Sequence, residues 1–73
     1  MKIYAVTNGT RREAYKVGGS FYKCFPRSSN KAETAKEFRN IEDAAAFLKS
    51  NSGWGIRMNP GAAIIFKEIK FEN

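Results

Sequence analysis

The chain opens on alternation. Across Lys2–Thr7, Ile3 and Ala5 fall on one side and Tyr4 and Val6 on the other, the period of two that a pleated strand requires. Asn8-Gly9 follows; both residues tolerate positive φ and predict a hairpin-like turn. Alternation resumes over residues 13–17, with Tyr15 and Val17 on one face, and again over residues 21–25 after the turn Gly18-Gly19-Ser20. Pro26 lacks a ladder donor and ends this third strand. Residues 27–36 carry no aromatic or large aliphatic side chain and read as an exposed loop. Within it, Asn30-Lys31-Ala32-Glu33 has capping-box spacing and allows a short helical turn.

The period then changes. Residues 36–39 read as one more short strand or the lead-in to a helix. Asn40 precedes Glu42 and Asp43, acids placed where a helix dipole favours them. Ile41, Ala44, Ala45 and Leu48 follow at i, i+3, i+4 and i+7, and Phe47 widens the stripe. Lys49 sits near the end and Gly53 offers a stop, so a helix is predicted over residues 41–51. Residues 52–61 read as irregular: two glycines flank Trp54, and Asn59-Pro60-Gly61 is a turn. A long strand is expected over residues 62–72, apolar on both faces early and on one face late.

The element order β-β-β-(β)-α-β describes an α+β fold: one antiparallel sheet of three or four strands with one helix on one face. Phe21 and Phe25 share a strand face and are expected to turn inward, leaving Tyr22 outward beside Lys16 or Lys23. The uncovered face of the sheet, or the loops at 27–36 and 52–61, would then be the places to bind.

Seventy-three residues form one small domain with a thin core. No apolar run approaches the roughly 20 residues that span a bilayer, and the alternating start at Met1 to Ala5 has no signal-peptide character. The chain has no histidine, which removes the commonest general base and metal ligand. The one cysteine, Cys24, cannot build an internal disulfide or a thiolate zinc site; it reads as a small buried hydrophobe in a cytoplasmic protein. Glu33 and Glu37 read as solvated charges, and Glu42 and Asp43 already serve the helix start. The glycines at 18 and 19 lack phosphate-loop spacing and precede a strand. An enzyme is not expected, nor a catalytic residue, cofactor or metal.

Charge is the strongest global signal: thirteen Lys and Arg against seven Asp and Glu leave +6. Such an excess favours anionic partners, nucleic acid or an acidic protein surface, and also serves solubility. Arg11, Arg12, Arg27, Lys31 and Arg57 fall on predicted turns or loops, where they can reach phosphates. Tyr22 and Trp54 add rings that can stack on bases or anchor a protein interface. The leading expectation is therefore a non-enzymatic nucleic-acid-binding module. The alternative is a protein-binding module, such as a small inhibitor or adaptor of the mobile-element type, using Trp54, Tyr22 and nearby arginines. A third reading is a homodimer paired through a sheet edge, with the monomer as its counterpart.

Two stretches, Tyr4-Ala5-Val6 and "KEFRNIEDAAAFL" at 36–48, resemble the ends of the small hybrid-binding domain that precedes some ribonuclease H enzymes. There too a strand Phe leads into a helix with an acidic first turn and an Ala-x-x-Phe pair. The middle of the chain departs from that family, lacking its internal Trp-containing helix and adding a long final strand. No residue roles are carried over.

Overall fold

The computed structural model describes residues 1–29, 31–58 and 68–73. Asn8 (φ 51°) and Gly9 (φ 79°) both take the left-handed conformation that a tight hairpin needs. They join β1 (Lys2–Thr7) to β2 (Thr10–Glu13), with Thr7 opposite Thr10 at the turn. The second strand thus begins earlier than the expected 13–17 and ends where that stretch begins. After Glu13 the Ala14 N–H donates to the Ile3 carbonyl at 2.9 Å. The chain then leaves the ladder, and Val17 returns only as a single bridge to Phe21. Gly18 (φ 60°) and Gly19 (φ 77°) make the turn between them.

The third strand, β3 (Tyr22–Pro26), is flanked by β4 (Lys36–Phe38) and by β5 (Trp54–Ile56), both antiparallel to it. Trp54 therefore lies on a strand, where an irregular segment was expected. The last strand, β6 (Glu68–Glu72), pairs with β1 on the edge opposite β2. Among the described residues the chain thus forms two three-stranded antiparallel sheets, ordered β2-β1-β6 and β4-β3-β5, together with one helix. The class is α+β, as expected. The chain divides into two sheets where one was expected: it quits the β1 ladder after Glu13, and β3 pairs with strands from later in the sequence. Asn30, the turn at 59–61 and residues 62–67 of the expected final strand lie outside the described residues. The helical turn expected near 30–33 forms as a short 3-10 turn at Ala32–Thr34.

The helix α1 (Ile41–Ser50) starts as its sequence demands. Asn40 is extended, and its Oδ1 accepts the Asp43 N–H at 2.9 Å, satisfying one of the orphan donors of the first turn. The helix stops one residue before the expected 51. Gly53 does not take the left-handed conformation; instead the Asn51 side-chain amide donates to the Phe47 carbonyl at 2.8 Å.

One core joins the three parts. Ile3 and Ala5 of β1, Cys24 of β3, Ile56 of β5 and Ala44, Ala45 and Leu48 of α1 are buried together with Ala14 and Met58. The helix touches β1, β3 and β4, so it serves both sheets. Its expected stripe is the buried one, with Ile41 and Phe47 partly buried at the margin.

The inner face of β3 is the reverse of the expected one. Tyr22 and Cys24 turn to the core, Cys24 with no exposure at all, while Phe21, Lys23 and Phe25 lie on the other side. A helix face built of Ala44 and Ala45 approaches a sheet closely, and a thiol suits that gap better than a phenyl ring. Phe25 is nevertheless buried, 4% exposed.

Candidate functional site

The distribution of charge separates the two sheets. On β1, β2 and β6 the register places Lys2, Tyr4, Arg11, Glu13, Glu68, Lys70 and Glu72 on the face away from the core. Lys2 meets Glu13 at 4.0 Å, Lys70 meets Glu68 at 3.8 Å, and Arg11 bonds Glu72. Arg11 also covers the Tyr4 ring, 3.8 Å from its centroid. Exposed ion pairs of this kind add little stability. Their consequence is electrostatic: among the described residues of this face three cations meet three carboxylates, and their charges balance.

Among the described residues the positive excess of the chain therefore lies elsewhere. Around the second sheet and α1 the cations rest on rings. The Arg39 guanidinium is 4.7 Å from the Phe21 centroid and that of Arg57 is 5.5 Å from Phe25. Lys16 lies over Tyr22 at 5.5 Å, Lys36 over Phe47 at 5.6 Å and Lys49 over Phe71 at 4.8 Å. Among the described residues the ion pair of this sheet is Lys23 with Glu37, at 3.6 Å. A ring holds a cation through its quadrupole without neutralising it. These five groups keep their charge and are oriented by the rings beneath them.

A cleft of about 470 Å³ opens where the end of α1, the end of β3 and β6 meet. Leu48, Trp54, Ile69 and Phe71 supply its apolar lining. Arg27, Lys49, Ser52 and Glu68 supply the polar part. Trp54 is fixed on β5 opposite Pro26, and its ring meets Phe47 in a T-shaped contact, centroids 5.0 Å apart. Phe47 in turn packs on Phe38 at 5.2 Å. Arg27 follows β3 directly, and its backbone N–H donates to the Gly53 carbonyl at 2.6 Å, tying it beside β5.

Only Arg27 and Trp54 of the sequence-derived candidates come together. Arg11 and Arg12 lie on β2, a strand where a turn was expected, and alternation points them to opposite faces. Tyr22 is half-buried against the core. Lys31 is exposed at the start of the 3-10 turn, where its carbonyl accepts the Thr34 hydroxyl at 2.6 Å. Arg57 is half-buried; its N–H donates to the Lys23 carbonyl, and its Nε is buried without a hydrogen-bond partner. The residues that sequence reading missed are Lys16, Lys36, Arg39 and Lys49. Lys16 was expected beside Tyr22 but not as a site residue; for the other three the aromatic neighbour is distant in sequence, so only the fold reveals the pairing.

Burial pushes the Cys24 thiol up to about 12, which keeps it protonated and poorly nucleophilic at neutral pH. No helix among the described residues is long and apolar enough to cross a membrane.

Fold and surface together define a small α+β domain with one charge-compensated face and a cation-bearing remainder. Comparison with protein-family models, with curated proteins and with solved structures found no match. The likeness at 4–6 and 36–48 is thus a shared strand–cap–helix pattern without a family match behind it.

Proposed function

We propose that the protein is a non-enzymatic basic module that binds nucleic acid mainly through its phosphates. The observation that carries this reading is the segregation of charge. Among the described residues the first sheet's outer face is neutral by pairing, while Lys16, Lys36, Arg39, Lys49 and Arg57 are held by rings and keep their charge. Arg39 and Arg57 cover Phe21 and Phe25, so a base would have to displace a guanidinium to stack there. Backbone contact is the chemistry this sheet face favours. The single buried thiol suits a cytoplasmic setting.

The direct test is a titration of labelled single- and double-stranded oligonucleotides at stepped salt. Binding should be weak, about 1–100 µM at physiological salt, and log-linear in salt concentration. Arg39→Ala and Arg57→Ala should each lower the slope by about one unit. Arg11→Ala combined with Glu72→Ala removes an ion pair at constant net charge and should leave the slope unaltered. Absence of binding at about 100 µM protein at low salt defeats the reading, since non-specific constants fall below that.

One observation favours a second reading, a protein-binding module: Arg27 and Trp54, residue types that anchor interfaces, line one cleft. An interface of that kind would bind with little dependence on salt.

A further inference from the structure

The cleft at the end of α1 has chemistry that phosphate contact alone does not use. It joins an aromatic wall to two cations, and its volume of about 470 Å³ falls within the range of small-ligand sites. We propose that it takes one unpaired nucleotide, the base against the Trp54 indole and the phosphate between Arg27 and Lys49. The proposal rests on the nucleic-acid reading above and names the part of the strand that enters.

Trp54 is suited to the role because it is held and still half-exposed. The strand ladder fixes its backbone opposite Pro26, and the Phe47 ring fixes its side chain from one direction. Little ordering is then left to be done on binding. Arg27 is exposed, on a backbone tied to Gly53. Lys49 lines the cleft, with its ammonium over the Phe71 ring at 4.8 Å. Two charges oppose an anion here. Glu68 is one, but its carboxylate is drawn toward Lys70 at 3.8 Å. The other is the partial negative charge at the C-terminus of α1, which Lys49 and the Asn51 amide on the Phe47 carbonyl offset. A flat ring carrying an anion matches this set, whereas an acidic side chain would use the cations and leave the indole without a partner. A paired base is stacked inside its duplex and cannot enter, so the cleft selects single strands or ends.

Trp54 is the only tryptophan, so its emission reports the cleft alone. Adenosine 5′-monophosphate and uridine 5′-monophosphate should quench it saturably, with half-saturation on the order of millimolar for one stacked base and one phosphate. Arg27→Ala and Lys49→Ala should each weaken that binding about fivefold, the loss of one charge-assisted contact. Circular dichroism of each variant checks that it is folded, and amide chemical shifts of the wild type around residues 27, 49 and 54 locate the ligand without mutation. Three results overturn the proposal: no saturable quench up to about 20 mM nucleotide, a range well beyond millimolar affinity; equal displacement by inorganic phosphate, which has no base; or quenching by an acidic peptide but not by nucleotide. An oligonucleotide that binds with a steep salt slope while Trp54 emission stays unchanged sinks this cleft and leaves the phosphate-binding reading standing. A mononucleotide that binds where no oligonucleotide does supports the cleft and sinks the nucleic-acid module.

Discussion

Replacing Asn40 with alanine removes one defined interaction, the 2.9 Å hydrogen bond from the Asp43 N–H to the Asn40 side chain. The magnitude follows from where that bond sits. It is exposed, so water can reach the freed N–H, and the cost falls near the middle of the range for lost caps, about 1 kcal/mol. The Asn40 backbone is already extended, so the substitution brings no strain that would add to this figure. The loss cannot be absorbed by partial fraying. A helix of ten residues is too short to persist alone in water, and its Ala44, Ala45 and Leu48 close the core against both sheets. A chain of this length has roughly 4–11 kcal/mol of total stability, so the change is large enough to measure. In urea, with a slope of about 1 kcal/mol per molar for so small a protein, the midpoint should fall by about 1 M. The melting temperature should drop by about 4–8 °C. Asn40→Gly should cost only a few tenths of a kcal/mol. Asn40→Asp keeps an acceptor and adds charge at the positive end of the dipole, but beside Glu42 and Asp43, and should stay close to wild type. An Asn40→Ala protein with an unshifted urea midpoint, or one no worse than Asn40→Gly, refutes the reasoning that this side chain sets the helix start.

Leu48→Ala should cost about 2–5 kcal/mol, because the side chain is 5% exposed within the shared core; equilibrium urea unfolding measures it, and native stability in that variant contradicts the packing. The raised Cys24 pKa predicts a loss of stability in alkali. Below the ordinary value of 9.0 the thiol is neutral in both states, and between there and about 12 the unfolded chain ionises first. Stability should therefore fall with rising pH by up to about 1.4 kcal/mol per pH unit in that window. The difference between wild type and Cys24→Ala, measured by urea unfolding at about pH 8 and about pH 10, isolates this thiol from the lysines and tyrosines. A constant difference would mean that Cys24 is not desolvated on folding.

Features set by neighbours in the chain were legible in the sequence. The Asn8-Gly9 hairpin, the Asn40 cap, the acidic first turn and the apolar stripe of α1 all depend on φ preferences, hydrogen bonds or periodicity within a few residues. Period-two alternation likewise marked β1 and β3; for β4 it left open a short strand or the lead-in to the helix. It could not say which side of β3 turns inward, because both sides carry rings: Phe21 and Phe25 on one, Tyr22 with Cys24 on the other. That choice belongs to the helix packed against the strand, whose alanines come from residues twenty positions later.

Partner choice was the second decision left to tertiary structure. Alternation identifies a strand without naming its neighbour, so nothing local revealed that β3 pairs with β4 and β5 while β6 returns to β1. The same limit governed the surface. Composition set the excess of +6, but a cation's effective charge depends on what stands opposite it. Arg11 meets Glu72, sixty-one positions away, and is neutralised, whereas Arg39 meets Phe21 and keeps its charge. Arg27 and Trp54 share a cleft because β5 pairs with β3. Local preference marked the hairpin turn, β1, β3 and the helix of this protein; long-range pairing made β5 a strand and decided which charges stand opposite a carboxylate and which opposite a ring.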